Sequence, residues 1–380
     1  MLCCRKQRAL FSLLLALFTI GKTALAGESC RLGFDVGSSG IRVAMLHSPH
    51  AAKVPLDYLH HVWRDNHLQA TIPATVAALQ QLPRAAQLPE GCTAVAGGYS
   101  AWRLAVERGG AAQAADTLQA IQQQSGVFFF IIPQDVEGSY GYQAVQQQMG
   151  ERLTTPFVLD IGGGSLQFAS ADAGWGSNLG QKSWRKRFCQ QIKQDQAAEC
   201  RTNPVGVESL DSARSLLAQE IRAAQAALGS QFAVTALSAP VTRGIHPILR
   251  HLAEQRLLEG TVDERGFERS ALAAAFTLLA SKSDAQLREI FGNCASKTLK
   301  KACDAPFIET HVTDMLLLLL FMDGLHLDRM EVIEADMNNV PGLLLDQRVQ
   351  HWSQHYPCYL TRLRQNGIDA FKRDNDHCSE

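Results

Sequence analysis

Asp35 ends an alternating apolar run (Leu32, Phe34, Val36) and is followed by Gly37-Ser38-Ser39-Gly40 and then Arg42. Glycines at both ends of so short a segment let the chain turn with backbone N–H groups facing one concavity. Ser38 and Ser39 add hydroxyl donors and Arg42 a planar cation. Such a turn is suited to a phosphate, and a carboxylate at the strand end is placed to hold the waters of a hard divalent ion. A polar hairpin that only reverses the chain fits the same residues. The pattern then returns: Pro156 to Asp160 leads into Ile161-Gly162-Gly163-Gly164-Ser165, followed by Leu166-Gln167-Phe168-Ala169. Two opposed Gly/Ser turns would clamp a phosphoanhydride from both sides, with one Mg2+ or Ca2+ between Asp35 and Asp160. Gln167 follows closely enough for its amide to orient an attacking water.

The elements that position these turns are legible as well. Leu32–Val36 and Ile41–Met45 read as a hairpin, and so does the second strand–turn–strand. Further strands are expected at 93–96, 127–132, 232–237 and 329–334, the second of them, rich in Phe and β-branched residues, as a central strand. Helices are expected at 111–124, 210–228, 247–258, 267–281 and 310–325, with Met315 to Met322 a buried helix rather than a span. Strands alternating with helices make the chain α/β. One hairpin-plus-Asp device used twice at domain spacing implies two similar lobes: 27–143 with the first turn and 144–345 with the second. Residues 346–380 form an extension that packs back on the first lobe.

The paired segments D-V-G-S-S-G-I-R and D-I-G-G-G-S-L-Q resemble the phosphate-binding hairpins of the actin-like ATPase superfamily. Within it they are most similar to the exopolyphosphatase/guanosine pentaphosphatase (Ppx/GppA) enzymes and to the apyrases, the nucleoside triphosphate diphosphohydrolases. Gly342-Leu-Leu-Leu-Asp346 looks like a late strand-and-loop segment of the polyphosphatases. The resemblance implies a two-lobed α/β actin-like (ribonuclease H-like) fold with an inter-lobe cleft, a divalent cation, and direct attack by water. It also implies a general base at Glu137, in Pro133-Gln-Asp-Val-Glu-Gly138, and a contact from Arg103 to the terminal phosphate. Departures are visible: Gln134 and Val136 in the base segment, Tyr99 where Thr is usual, and Ser238-Ala-Pro240 where a Gly-Gly turn is common. The expected activity is that of an exopolyphosphatase-like phosphoanhydride hydrolase. An apyrase-like nucleotide hydrolase and a binding protein that has lost catalysis are the alternatives.

Lys plus Arg number 36 and Asp plus Glu 37, a balance that argues against duplex nucleic acid as a partner; the resemblance implies polyphosphate or a nucleotide as the ligand. Lys182-Ser-Trp-Arg-Lys-Arg187 is the strongest basic cluster, either a polyanion guide with Trp184 to stack a base, or a solvated loop. Arg5, Lys6 and Arg8, the apolar run Ala9 to Ile20 and the site Ala24-Leu25-Ala26 read as a signal peptide over 1–26, hence a secreted or periplasmic protein with no membrane span after cleavage. Beyond it stand Cys30, Cys92, Cys189, Cys200, Cys294, Cys303, Cys358 and Cys378, an even number that suggests disulfides. Cys189–Cys200 and Cys294–Cys303 are the expected pairs.

Overall fold

The computed structural model describes residues 30–197, 200–229, 232–291, 299, 309–335 and 338–372. The expected signal peptide and the Cys294–Cys303 pair lie outside them. The first half of the chain runs β1 (Arg31–Val36), β2 (Gly40–Ala44), β3 (Ala51–Pro55), α1 (Tyr58–Asp65), α2 (Ile72–Ala85), β4 (Thr93–Gly98), α3 (Ala101–Gly109), α4 (Ala111–Ser125), β5 (Phe128–Ile131) and α5 (Gln134–Met149). The second runs β6 (Phe157–Ile161), β7 (Leu166–Ala169), β8 (Gly174–Ser177), α6 (Gln181–Gln191), α7 (Ser209–Leu228), β9 (Val234–Ala236), α8 (His246–Glu254), β10 (Gly266–Glu268), α9 (Arg269–Leu279), α10 (Asp284–Phe291), α11 (His311–Gly324) and β11 (Arg329–Val332). α12 (Val340–Leu345), α13 (Gln347–Gln354) and α14 (Tyr356–Asn366) complete the chain. No described helix is long and apolar enough to cross a membrane.

The sheets are ordered β3-β2-β1-β4-β5 and β10-β11-β9-β6-β7-β8. Read from the hairpins inward they are the same device. β1 and β6 each pair antiparallel with the next strand and parallel with the strand that follows a helical crossover. The second sheet adds β10 antiparallel to β11. Each sheet has its own apolar core. The second is dominated by α11, where every residue from His311 to Met322 is buried, as expected for so apolar a run.

The C-terminal helices join the first core through Val349, Trp352, Tyr359 and Leu363. That return starts at Val340, six residues before the boundary expected at 346, because Val340 and Leu344 pack over Gly33, where a Cβ would come within 2.5 Å of Val340. The segment Gly342–Asp346, expected as strand and loop, belongs to α12 and its cap, since Leu343 and Leu344 are buried on one helical face against β1.

The Phe-rich strand β5 is an edge strand, not a central one. What its composition reported was burial, which here comes from the C-terminal helices rather than from another strand. Tyr356 and Tyr359 stand in for the missing neighbour: Phe129 N–H donates to the Tyr356 hydroxyl at 3.4 Å, that hydroxyl donates to Phe129 C=O at 3.0 Å, and Ile131 N–H donates to the Tyr359 hydroxyl at 2.8 Å. A buried edge needs its polar groups paired. Tyr359→Phe should therefore cost about 1–3 kcal/mol, the penalty for a buried donor left without an acceptor. Urea unfolding of the purified chain reads this directly, and a neutral result would mean that the Ile131 amide reaches another acceptor.

Candidate functional site

Asp35 and Asp160 occupy equivalent places, one residue before the end of β1 and of β6, directly opposite Arg42 and Gln167 on the neighbouring strands. The turns they precede are built alike. Ser38 C=O accepts from Leu59 N–H at the start of α1. In the second turn, Gly162 and Gly163 C=O accept from Gln181 and Lys182 N–H at the start of α6, and Gly164 C=O from the Ser183 hydroxyl. Helix starts carry unsatisfied N–H groups, and here turn carbonyls satisfy some of them, alone at α6 and beside the Asp57 side-chain cap, which accepts from His60 N–H, at α1. With the carbonyls so engaged, the backbone N–H groups of Ser38, Ser39, Gly163 and Gly164 have no acceptor among the described residues.

Gly40, Gly163 and Gly164 are required by contact, not by a left-handed backbone, whereas Gly37 and Gly162 have room for a Cβ. Gly37, Gly40, Gly162, Gly163 and Gly164 all keep ordinary φ. A Cβ on Gly40 would lie 2.4 Å from Val54 C=O, and one on Gly163 would lie 2.8 and 2.9 Å from the Ser38 and Ser39 hydroxyls. The two turns therefore face and touch one another. Ser165 is buried below the second turn.

Behind the turns runs a buried polar chain that crosses between the sheets. Arg103 on α3 pairs through Nη1 with Glu137 Oε2 at 2.7 Å and donates to Ile132 C=O at 3.0 Å. Gln167 Nε2 donates to the same Glu137 Oε2 at 2.9 Å and to Ser165 Oγ at 3.0 Å. Only 2% of Arg103 and 8% of Glu137 is exposed. Both contacts, from Arg103 and from Gln167, fall on Oε2 of Glu137. Arg103 Nε and Nη2, which form one edge of the guanidinium, have no partner among the described residues. Glu137 reaches this place because α5 is apolar on two sides: Val136 and Tyr140 enter the first core, while Tyr142 and Val145 pack on Val158, Ala169 and Leu237 of the second sheet.

Burial raises both aspartates, Asp35 to about 6 and Asp160 to about 7, with the negative charge of Glu137 adding to each. On Asp35 the Asn339 N–H, at 3.1 Å from Oδ2, works in the opposite direction. Among the described residues no cluster of three or more His, Cys, Asp or Glu forms a ready cage for a metal. Two half-buried carboxylates with the buried Glu137 beside them, offset only in part by Arg42 and Arg103, nonetheless make an all-oxygen donor set with excess negative charge. That suits a hard divalent ion held by one or two carboxylates with waters and phosphate oxygens completing its shell. A cavity of about 10 Å³, the size of one water, lies against Glu137, Asp160, Gln167 and Asn339.

The sequence reading missed Asn339, whose visible signal was the Asn-Asn-Val-Pro start of α12. The basic cluster at 182–187 proves to be helix α6, neither a loop nor a base-stacking site. Trp184 is fully buried and donates to Thr313 C=O at 2.8 Å, Lys182 pairs with Asp57 at 3.2 Å, and Lys186 lies over Trp63 at 4.3 Å. Pro240 opens a helical stretch, Pro240–Ile245, that runs directly into α8.

No family model matches this sequence, and no curated protein does. Its fold is nevertheless shared with solved structures. A Ppx/GppA family member from Aquifex aeolicus superposes with a TM-score of 0.58 at 14% identity, over 84% of this chain and 98% of that one. An exopolyphosphatase-like protein gives 0.54 at 16% identity over 84% and 99%. An exopolyphosphatase from Cytophaga hutchinsonii gives 0.52 at 12% identity over 83% and 96%. The α/β, two-sheet architecture expected from the sequence is thus the observed one.

A pH prediction follows from Asp160. Its folded value of about 7 lies above the ordinary 3.8, so between those two values the native protein keeps a proton that the unfolded chain has released. The cost of this group to stability grows as pH rises through that window and is complete above about pH 7. With divalent ions chelated, Asp160→Asn should raise the melting temperature by several degrees at pH 8, and the difference should shrink as pH falls toward 4. A gap that stays constant with pH would show that the carboxylate is not the source of the strain.

Proposed function

We propose that this chain is an exported, divalent-cation-dependent phosphoanhydride hydrolase of the exopolyphosphatase type, releasing phosphate by direct attack of water. The observation that carries the reading is the buried Arg103–Glu137–Gln167–Ser165 chain, set behind two facing turns that each follow a half-buried aspartate. The fold shared with Ppx/GppA and exopolyphosphatase structures supports it.

In this reading Asp35 and Asp160 hold the cation, which when bound neutralises phosphate oxygens. The free N–H groups of Ser38, Ser39, Gly163 and Gly164, with Gly37, Gly40, Gly162, the Ser165 hydroxyl and Arg42, cradle the phosphates. The unpartnered Nε/Nη2 edge of Arg103 offers a two-pronged donor to the terminal phosphoryl group without releasing Glu137 from Nη1. Glu137 takes the proton of the attacking water on Oε1, while Gln167 fixes Oε2 and so sets the carboxylate plane. The water-sized cavity against Glu137 and Gln167 is the natural seat for that water. A phosphate chain needs more room than the touching turns leave, so substrate entry separates Gly163 from Ser38 and Ser39.

A chain of phosphates is favoured over a nucleotide because Trp184, the aromatic residue of the basic cluster, is committed to the second core. Export is supported by the leader-like N-terminal segment and by two disulfides, Cys30–Cys92 joining the starts of β1 and β4 and Cys189–Cys200 closing the end of α6.

Glu137→Gln should lower phosphate release by about 10²–10⁴-fold, the usual worth of a positioned general base, while polyphosphate binding is retained. Phosphate release from long polyphosphate, pyrophosphate, ATP and ADP, each with and without magnesium or calcium, tests the whole reading. Undiminished turnover in the Glu137 variant would remove the base assignment. No release from any of the four, with either metal, would leave a binding protein.

A further inference from the structure

The geometry points to Tyr99 as a specificity-determining residue, its hydroxyl donating a hydrogen bond to the terminal phosphoryl group; this inference rests on the phosphoanhydride reading above. It begins with strand register. Asp35 pairs with Gly97 across the parallel β1–β4 ladder, so the two residues share a face of the sheet. Gly97 has no side chain, and Tyr99 fills the space it leaves. A Cβ on Gly97 would lie 2.5 Å from the Tyr99 hydroxyl oxygen, 2.8 Å from Cζ and 3.1 Å from Cε2. The phenol is thus folded back over its own strand, beside the residue that pairs with Asp35.

The backbone beside it is strained. Ser100, the next residue, has φ 43° and ψ −89°, a conformation that serine rarely adopts, and it makes no side-chain capping bond to α3. Tyr99 N–H is pinned to Val36 C=O at 3.0 Å, at the end of the strand that carries Asp35. Strain that serves no cap, beside a ring near a carboxylate, calls for a functional explanation.

The hydroxyl itself has no partner among the described residues, although only 1% of Tyr99 is exposed. Its charged surroundings are Asp35, Glu137 and Arg103, with the Tyr140 phenol nearby. Tyr140 is already committed, donating to Asp346 at 2.6 Å. One helical turn beyond Tyr99, Arg103 leaves Nε and Nη2 unpaired. A tyrosine that served only to fill the core would do as well as phenylalanine, and better, because a buried hydroxyl without a partner destabilises the fold. Tyr99, in the turn before α3, and Arg103, on that helix, together present three donor groups without a partner among the described residues, an arrangement that an anionic phosphoryl end satisfies.

The test uses the purified chain with magnesium and methylenediphosphonate, a non-hydrolysable analogue of pyrophosphate, followed by thermal shift and calorimetry. Tyr99→Phe should melt at or above the parent temperature without ligand, yet bind the diphosphonate about tenfold more weakly and show a KM for pyrophosphate raised to match, as expected for one hydrogen bond to a charged group. Gly97→Ala, which leaves the hydroxyl present but pushes it aside, should weaken diphosphonate binding as well. Parental affinity in Tyr99→Phe would overturn the inference while leaving the phosphoanhydride reading intact. A fall of several degrees in ligand-free Tyr99→Phe, or its failure to fold, would also overturn it, by showing that the hydroxyl has an internal structural partner. If the parent protein itself gains no stability from the diphosphonate, the phosphoanhydride reading fails and this inference fails with it.

Discussion

Three carboxylates, the buried Glu137 and the half-buried Asp35 and Asp160, are gathered where two sheets meet, and the structure around them is organised by the cost of drawing them partly out of water. Like charges in a low-dielectric interior repel one another and resist desolvation. Direct compensation comes from Arg103, which pairs with Glu137, and from the Asn339 amide on Asp35. On the proposed function, a cation with phosphate oxygens is the chemistry that answers the remainder. In this view the unpaired edge of Arg103 and the unpaired phenol of Tyr99 belong to the same unsatisfied site, facing the anion rather than the cation.

The duplicated architecture explains how one site draws on two halves of the chain. In each half a three-stranded hairpin system leads into a helix whose first N–H groups take up the turn's carbonyls, as α1 does for the first turn and α6 for the second. Two elements break the equivalence by crossing over. Helix α5 leaves the first sheet, delivers Glu137 and packs on β7 and β8, where Gln134 donates to Ser177 C=O at 3.1 Å. The chain after β11 returns to the first core, bringing Asn339 to Asp35 and laying α12 over Gly33. Both halves are thereby tied at the polar centre, so a movement that parts the turns must pivot near α5 and α12.

If the turns part as proposed, contacts beyond them must yield as well. Lys182 with Asp57 and Lys186 over Trp63 join α6 to the start and body of α1. These residues looked in sequence like a free polyanion guide, and in the fold they hold the two hairpin systems together. Exposed pairs of this kind are individually weak, which is what a reversible closure needs.

The sequence by itself determined the local chemistry: two strand–Asp–Gly/Ser–strand devices, helices with apolar faces such as α7 and α11, and an amide at Gln167 just past the second turn. Each depends on periodicity or residue type within a few positions, and such signals survive without knowledge of neighbours. Tertiary structure decided everything that depends on which surfaces meet. It made β5 an edge strand closed by tyrosine hydroxyls, because burial in composition does not say whether a strand or a helix supplies it. It made Gly40, Gly163 and Gly164 a matter of close approach rather than unusual φ, and it took Trp184 into the core. It also brought Asn339 to Asp35 from the far end of the chain, a contact between distant segments that no local pattern encodes.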